Sequence, residues 1–350
     1  MSFRLGGQDG VAVEAAKWQR VLTERHFATY AVAGGGAPDV VVPGLAMDAP
    51  SPPSDADLRA ALSPADLVVV ENLCSLPLNP GAMACAARVL AGRPAILHHH
   101  DLPWQRPAFK GHPPPPSDPA WRHVTINRRS CEELRIRGIE AECIYNAFDT
   151  SASSGDRAAT RAVMDVADGD ILVLQPTRAI ARKNVPGAVA IAEALGATYW
   201  LLGPAEDDYD HELANIIASA RCRVLRGFAP ERRHSVADAY AASDVVAFPS
   251  TWEGFGNPAI ESAVYGKPLA IGDYPVAAEL AAFGFQWFDA RDVHALSAWL
   301  AAPDARLLAH NERVAREHFS LERLAQQLDD LITGHLALAR AAAARNDHSA

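Results

Sequence analysis

The stretch Val245–Glu261, Val-Val-Ala-Phe-Pro-Ser-Thr-Trp-Glu-Gly-Phe-Gly-Asn-Pro-Ala-Ile-Glu, reads as a strand, a glycine turn and the start of a helix. Val245–Pro249 is a short apolar run of strand length. Two glycines flank Phe255, so the backbone there can turn tightly and approach a ligand closely. Asn257 suits a helix N-cap and Pro258 the first position of a helix running to Tyr265. A helix start beneath a glycine turn is an anion site, because its free N–H groups and its dipole face the ligand. Two carboxylates bracket that site, Glu253 in the turn and Glu261 about one turn into the helix. Carboxylates repel phosphate, so they must face something else. Paired sugar hydroxyls are natural partners, since a carboxylate accepts two hydrogen bonds at once.

The same strand–helix alternation extends upstream of this stretch. Strands are expected at Ile171–Gln175, Tyr199–Gly203 and Arg223–Gly227, with a further one at Pro268–Gly272. Helices are expected at Val185–Leu195, near Tyr209–Ala220 and at Arg232–Ala241. A looser version precedes residue 147, with strands at Phe27–Ala33, Val40–Pro43, Leu67–Glu71 and Ala95–His98. Two further strands, His123–Asn127 and Glu142–Tyr145, flank a helix near Ser130–Arg137. Short strands separated by helices argue for parallel sheets covered on both faces. The stretch Pro103–Pro119, with its run of prolines at 113–116, is expected to be a surface loop. The expected division is residues 1–147, 148–325 and a helical tail 326–350, with helix from about Asp304 onward. Two doubly wound domains place ligands in a cleft, at the carboxyl ends of the strands.

Composition excludes several classes. Hydrophobic residues make up 49% and charged residues 21% of 350 residues, as in globular proteins with substantial cores. The net charge of -10 and the lack of a basic stripe argue against nucleic acid as partner. No apolar run approaches the ~20 residues that span a bilayer, and Met1–Gly10 has no signal-peptide core. Five scattered cysteines fit a reducing cytoplasm, which is the expected location.

Three further motifs complete the reading. Pro176–Asn184 carries Arg178, Arg182 and Lys183 on one loop after a strand. Such crowding of cations calls for an anion, and charge-assisted bonds to a leaving diphosphate are worth about 1.5–3 kcal/mol each. His98-His99-His100-Asp101 suggests a metal, but neighbours on a strand point to opposite faces, so all three histidines cannot ligate one ion. No metal is expected. Gly6-Gly7-Gln8-Asp9-Gly10 precedes a helix at Val11, after a first strand reduced to Met1–Leu5, so that the true start is either here or upstream.

Glu-Gly-Phe-Gly, with a second glutamate eight positions after the first, resembles the donor-site signature of the GT4 family of retaining glycosyltransferases. The resemblance implies the GT-B fold, an α/β architecture of two Rossmann-like domains with a cleft between them. It implies that Glu253 contacts the transferred sugar, that the backbone of Gly254, Phe255, Gly256 and Asn257 lies along sugar and phosphates, and that Glu261 binds the ribose. It assigns the leaving-group charge to Arg178 and Lys183, with Arg182 as an extra cation turned to solvent. It sets His100, or failing that His98, against the reacting sugar, with Asp101 orienting an imidazole or contacting the acceptor. It puts Gly7 near the donor phosphate, and Gly227 and Phe228 near the nucleobase. Asn146–Asp149 resembles the family's interdomain crossover. The implied activity is metal-independent, front-face transfer of a sugar from a nucleotide sugar, UDP- or GDP-linked, to an acceptor hydroxyl. No other cofactor is implied. The alternatives are a catalytically silent sugar-nucleotide binder and an epimerase or phosphorylase of the same fold. Sugar, base, acceptor and oligomeric state are not named by these residues.

Overall fold

The computed structural model describes residues 1–7, 9–151, 154–206, 208–228 and 235–347. The chain divides into two compact units, Met1–Ala147 with Leu321–Ala350, and Phe148–Ser320. Gln8 and Arg232–His234, which belong to two of the expected features, lie outside the described residues.

The first unit holds seven strands: β1 (Ser2–Leu5), β2 (Val32–Gly36), β3 (Val40–Val41), β4 (Val68–Glu71), β5 (Ala95–His99), β6 (Trp121–Thr125) and β7 (Ala141–Cys143). All pair in parallel, β1-β2-β3 in one sheet and β4-β5-β6-β7 in another. The Glu71 N–H donates to the Met1 carbonyl at 2.8 Å, which sets β1 beside β4. The resulting order, 3-2-1-4-5-6-7, is that of a doubly wound fold. The strand expected at Phe27–Ala33 begins only at Val32, where pairing with β1 starts; Phe27 is exposed. Between Pro103 and Pro119 the chain makes two short 3₁₀ turns, Pro103–Gln105 and Pro107–Phe109, each opened by a proline whose missing N–H costs nothing there.

Period-two alternation divides β5 between two cores. Ala95 and Leu97 pack with Val68, Val70 and Leu58. Ile96 packs with Trp18, Val21, Val124 and Leu324. That second core explains the C-terminal helix. The helical run expected from Asp304 breaks at Ser320, whose backbone is extended. Residues beyond it form one helix, Leu321–Asp347, and not a separate tail starting at 326. Leu324, Leu328, Leu331 and Ile332 line one face of it and are buried within the first unit. Each such burial contributes about 1.5–3 kcal/mol.

The second unit holds six parallel strands: β8 (Leu172–Gln175), β9 (Thr198–Leu201), β10 (Val224–Arg226), β11 (Val245–Phe248), β12 (Leu269–Ile271) and β13 (Phe288–Asp289). Their order is β10-β9-β8-β11-β12-β13. The winding reverses between β8 and β11, which pair directly through Val245 with Val173 and Val246 with Leu174. The loops leaving these two central strands therefore emerge side by side. Among the described residues no helix is long and apolar enough to cross a membrane.

At the opposite end of the same two strands lies a buried ionic cluster. Arg161, 1% exposed, donates to Asp244 at 3.2 Å and to the carbonyls of Ala242, Ala167 and Asp170. Arg157 binds the other Asp244 oxygen at 2.7 Å, and the Leu172 N–H donates to Asp244 at 2.8 Å. The two arginines also satisfy carbonyls at the end of helix Val236–Ala242. Removing one partner of a buried pair leaves an uncompensated charge. Asp244→Asn should therefore destabilise the unit by about 3 kcal/mol, read as a lower midpoint of urea unfolding. An unchanged midpoint would mean that Arg161 is held by its carbonyl partners alone.

Candidate functional site

The site of the second unit grows from the β8 and β11 loops. Gln175, the last residue of β8, donates through its side-chain amide to the Lys183 carbonyl at 2.8 Å and accepts from the Tyr199 phenol. This folds the loop back onto its own strand. Asn184 then adopts a left-handed conformation (φ 53°) and caps helix Val185–Ala194 by accepting from Gly187 N–H. Its amide also donates to the Pro249 carbonyl at 3.2 Å, and Thr251 N–H donates to the Arg182 carbonyl at 2.9 Å. The two loops are thus laced together through backbone groups.

Their side chains meet at Glu253, which is buried. Lys183 Nζ lies 2.5 Å from Oε1, and Arg182 Nη1 lies 2.7 Å from Oε2. Arg182 also donates to the Trp252 carbonyl at 3.0 Å. The expectation that Arg182 turns to solvent is wrong: a buried carboxylate with a free oxygen draws in the nearest donor. Burial pulls the Lys183 ammonium below its usual range, and the Glu253 charge opposes that shift. Arg178 is half-exposed and pairs with Glu206, so Arg178 and Lys183 hold different carboxylates. Two buried hydroxyls at the ends of the central strands, Thr177 Oγ1 and Ser250 Oγ, have no hydrogen-bond partner.

The glycine turn is built for close approach. Gly256 has φ 102°, and a Cβ there would lie 2.2 Å from the Tyr274 hydroxyl. Tyr274 in turn donates to the Phe255 carbonyl at 3.2 Å. Gly256, not Asn257, is the residue before the helix, which spans Asn257–Val264; a one-residue shift is usual at helix ends. The Phe255 ring points into the core against Phe148 and Phe319, so Gly254–Asn257 offers backbone rather than this ring to a ligand. One turn on, Glu261 accepts from the Tyr240 phenol at 2.7 Å. Burial first, and then the Glu261 charge, push that phenol well above its usual range. Gly227 follows β10 at φ 60°, its carbonyl accepts from Trp200 Nε1 at 2.7 Å, and Phe228 stands edge-on to the Trp200 ring.

In the first unit the histidine run splits as the strand alternation requires. His98 and His100 share one face and His99 the other. His98 Nδ1 and His100 Nε2 each lie 2.9 Å from the same Glu71 oxygen. His98 also stacks on Trp18. Burial raises the Glu71 carboxyl, but the two imidazoles outweigh burial and hold it below the carboxylate range. On the opposite face His99 bridges Ser75 and His123, and burial keeps the His123 imidazole down at about 4. Asp101 does not orient an imidazole; it pairs with Arg106 at 2.7 Å. Glu71, unremarked in the sequence, takes that part. Its signal is a charged residue ending an otherwise apolar strand, in register with His98. Glu71, His98 and His100 offer ligand atoms within 4.8 Å of one another, a set able to hold a divalent ion. As they stand, however, both imidazoles are spent on the carboxylate, and His98 Nε2 lacks the outer partner that a metal-binding imidazole normally has. Gly7 lies in the loop after β1, and Asp9 beyond it caps helix Gly10–Glu24.

Residues 156–302 match the family of glycosyl transferases group 1. The chain is 26% identical to the mannosylglucosylglycerate synthase of Petrotoga mobilis, over 81% of this chain and 84% of that one. It is 25% identical to the protein of the same name from Thermotoga maritima, over 92% and 96%. Its fold is similar to that of Anabaena HepE, solved in complex with UDP-glucose, with a TM-score of 0.69 at 20% identity over 95% of this chain and 98% of that one. Residues 156–302 thus match a glycosyl transferases group 1 domain, in a chain with the GT-B fold of two Rossmann-like domains.

Proposed function

We propose that the protein transfers a sugar from a nucleotide-linked donor to an acceptor hydroxyl, with retention of configuration and without a metal. The observation that carries this reading is the Lys183–Glu253–Arg182 group at the carboxyl ends of β8 and β11, the winding reversal where doubly wound sheets bind ligands. Thr177 and Ser250 add hydroxyls there that lack a partner, as buried groups meant for a ligand do. Arg178 and Lys183 stabilise the charge that grows on the leaving diphosphate, together with the start of helix Asn257–Val264. Glu253 reads the sugar, Glu261 the ribose, and Gly227 with Phe228 the base.

The state of Glu253 argues against a covalent intermediate on the way to the proposed retention. A carboxylate with each oxygen bound to a cation is a poor nucleophile. The acceptor oxygen attacks on the face from which the phosphate leaves, and that phosphate takes the proton. His100, fixed by Glu71, is assigned to the reacting sugar, and Gly7 to the donor phosphate, after the resemblance. UDP- and GDP-linked hexoses are the donors to try first, UDP-glucose among them. Glucosylglycerate is the acceptor to try first, after the name shared by the two relatives. The cytoplasm is the proposed location, in keeping with five cysteines outside any disulfide.

A thermal-shift panel of UDP, GDP, ADP and their sugars tests the donor site. A ligand at ~100 times its Kd adds about 2.7 kcal/mol, a rise of about 5 °C or more. No shift with any of them would sink the assignment. With a donor in hand, Glu261→Ala should weaken the bare nucleotide about tenfold, the loss of a charge-assisted hydrogen-bonding group. Glu253→Ala should mainly lower turnover; equal and negligible effects would refute both roles. His100→Ala and Glu71→Gln should lower kcat about tenfold or more while nucleotide affinity holds. An unchanged kcat in both would remove the pair from the mechanism.

A further inference from the structure

Arg182 contributes a contact that the donor-site reading does not account for. Its guanidinium binds Glu253 Oε2 at 2.7 Å and the Trp252 carbonyl at 3.0 Å, while its own carbonyl accepts from Thr251 N–H at 2.9 Å. Residue 182 therefore holds three successive residues of the β11 loop, the last of them the buried carboxylate. Lys183, the next residue, occupies the opposite oxygen at 2.5 Å.

We propose that Arg182 is the positioning residue for sugar recognition: it is the fixed counter-ion of Glu253 and so lets Lys183 leave that carboxylate for the donor's diphosphate. This rests on the reading of Lys183 and Glu253 as donor residues. The argument begins with charge. One carboxylate and two cations share a buried site, leaving one positive charge in excess. Without Arg182, Lys183 and Glu253 would neutralise each other. A phosphate could then draw Lys183 away only by leaving Glu253 buried and unpaired, the costly half of a broken ion pair.

The two cations also differ in kind. Burial lowers the ammonium of Lys183, which Glu253 only partly sustains. A guanidinium stays charged at any ordinary pH, and its planar fork can hold a carboxylate and a carbonyl together. Arg182 does so through Nη1 alone, which donates to both acceptors of the same loop and leaves its other nitrogens out of these two bonds. It is the permanent partner and Lys183 the exchangeable one. When Lys183 turns to phosphate, Oε1 of Glu253 is released toward the donor with its orientation kept by Arg182, ready to accept from sugar hydroxyls. Both ligands thus need Arg182 so that Lys183 can leave Glu253, and the sugar nucleotide needs it a second time, to hold Glu253 toward the sugar.

Calorimetric titration with UDP, GDP and their glucose and mannose conjugates tests this. The unchanged protein should bind a sugar nucleotide more tightly than its bare diphosphate. Arg182→Ala should weaken both ligands, since Lys183 must then leave Glu253 unpaired, and should lose about tenfold more for the sugar nucleotide than for the bare diphosphate, which erases the preference between them. In the Arg182→Ala background, adding Glu253→Gln should cost nothing more, since both changes disable one recognition unit. Arg182→Lys, which keeps the charge but not the fork, should fall between and serves if the alanine variant does not fold. A loss of the same size for both ligands would give Arg182 no part in reading the sugar and overturn the proposal. So would full retention of the preference for the sugar nucleotide. If the unchanged protein binds none of these ligands, the donor site itself fails, and this inference with it.

Discussion

The direct pairing of β8 with β11 is the constraint on which the rest of the second unit depends. Two strands from distant parts of the sequence lie next to each other because the winding reverses there. Their following loops then have no choice but to share space. A carboxylate carried on one loop and cations on the other become a buried ionic group rather than solvated charges. The sheet is also closed at its other end by charge, where Asp244 ties Leu172 and helix Val236–Ala242 to Arg157 and Arg161. Both ends of the central strand pair are fixed by ions, and the stretch between them by apolar burial.

Burial decides how these carboxylates behave. Three of them, Glu71, Glu253 and Glu261, each have a dedicated partner from a segment remote in sequence: two imidazoles, two cations and a phenol. The partners are not interchangeable. A phenol or an imidazole holds a carboxylate in place while leaving its charge available to hydrogen-bond a ligand. A cation cancels that charge. At Glu253 the partners are two cations.

The chemistry of single loops was legible in the sequence, and the pairing of loops was not. Glu253, the glycine turn and Glu261 stand in one continuous string, so local spacing alone brought them together as a site. The cation loop was legible for the same reason. Arg182 was misjudged because its partner lies 71 residues away, across a strand pairing that no local pattern announces. Glu71 was passed over for a like reason: its carboxylate meets His98 and His100 only through parallel registration of β4 and β5. Alternation along β5 was readable and correctly divided the three histidines between faces. The break at Ser320 was hidden in an alanine-rich helical run whose two halves belong to different cores.

What remains is why a donor site would bind a cation to the group meant for the sugar. A buried carboxylate left alone would take up a proton or draw in water, and either would ruin it as an acceptor of hydroxyl hydrogen bonds. Pairing with Lys183 orients it in the absence of ligand, and its charge in turn opposes the pull of burial on the ammonium. The pair is therefore each partner's reserve. On the proposed reading, a diphosphate outbids Glu253 for the ammonium because it carries more charge, and the exchange would deliver a free carboxylate oxygen at the moment a sugar arrives beside it. A bare nucleotide meets the same exchange without using the released oxygen. The arrangement ties recognition of the sugar to engagement of the leaving group, so that the groups which must act together become available together.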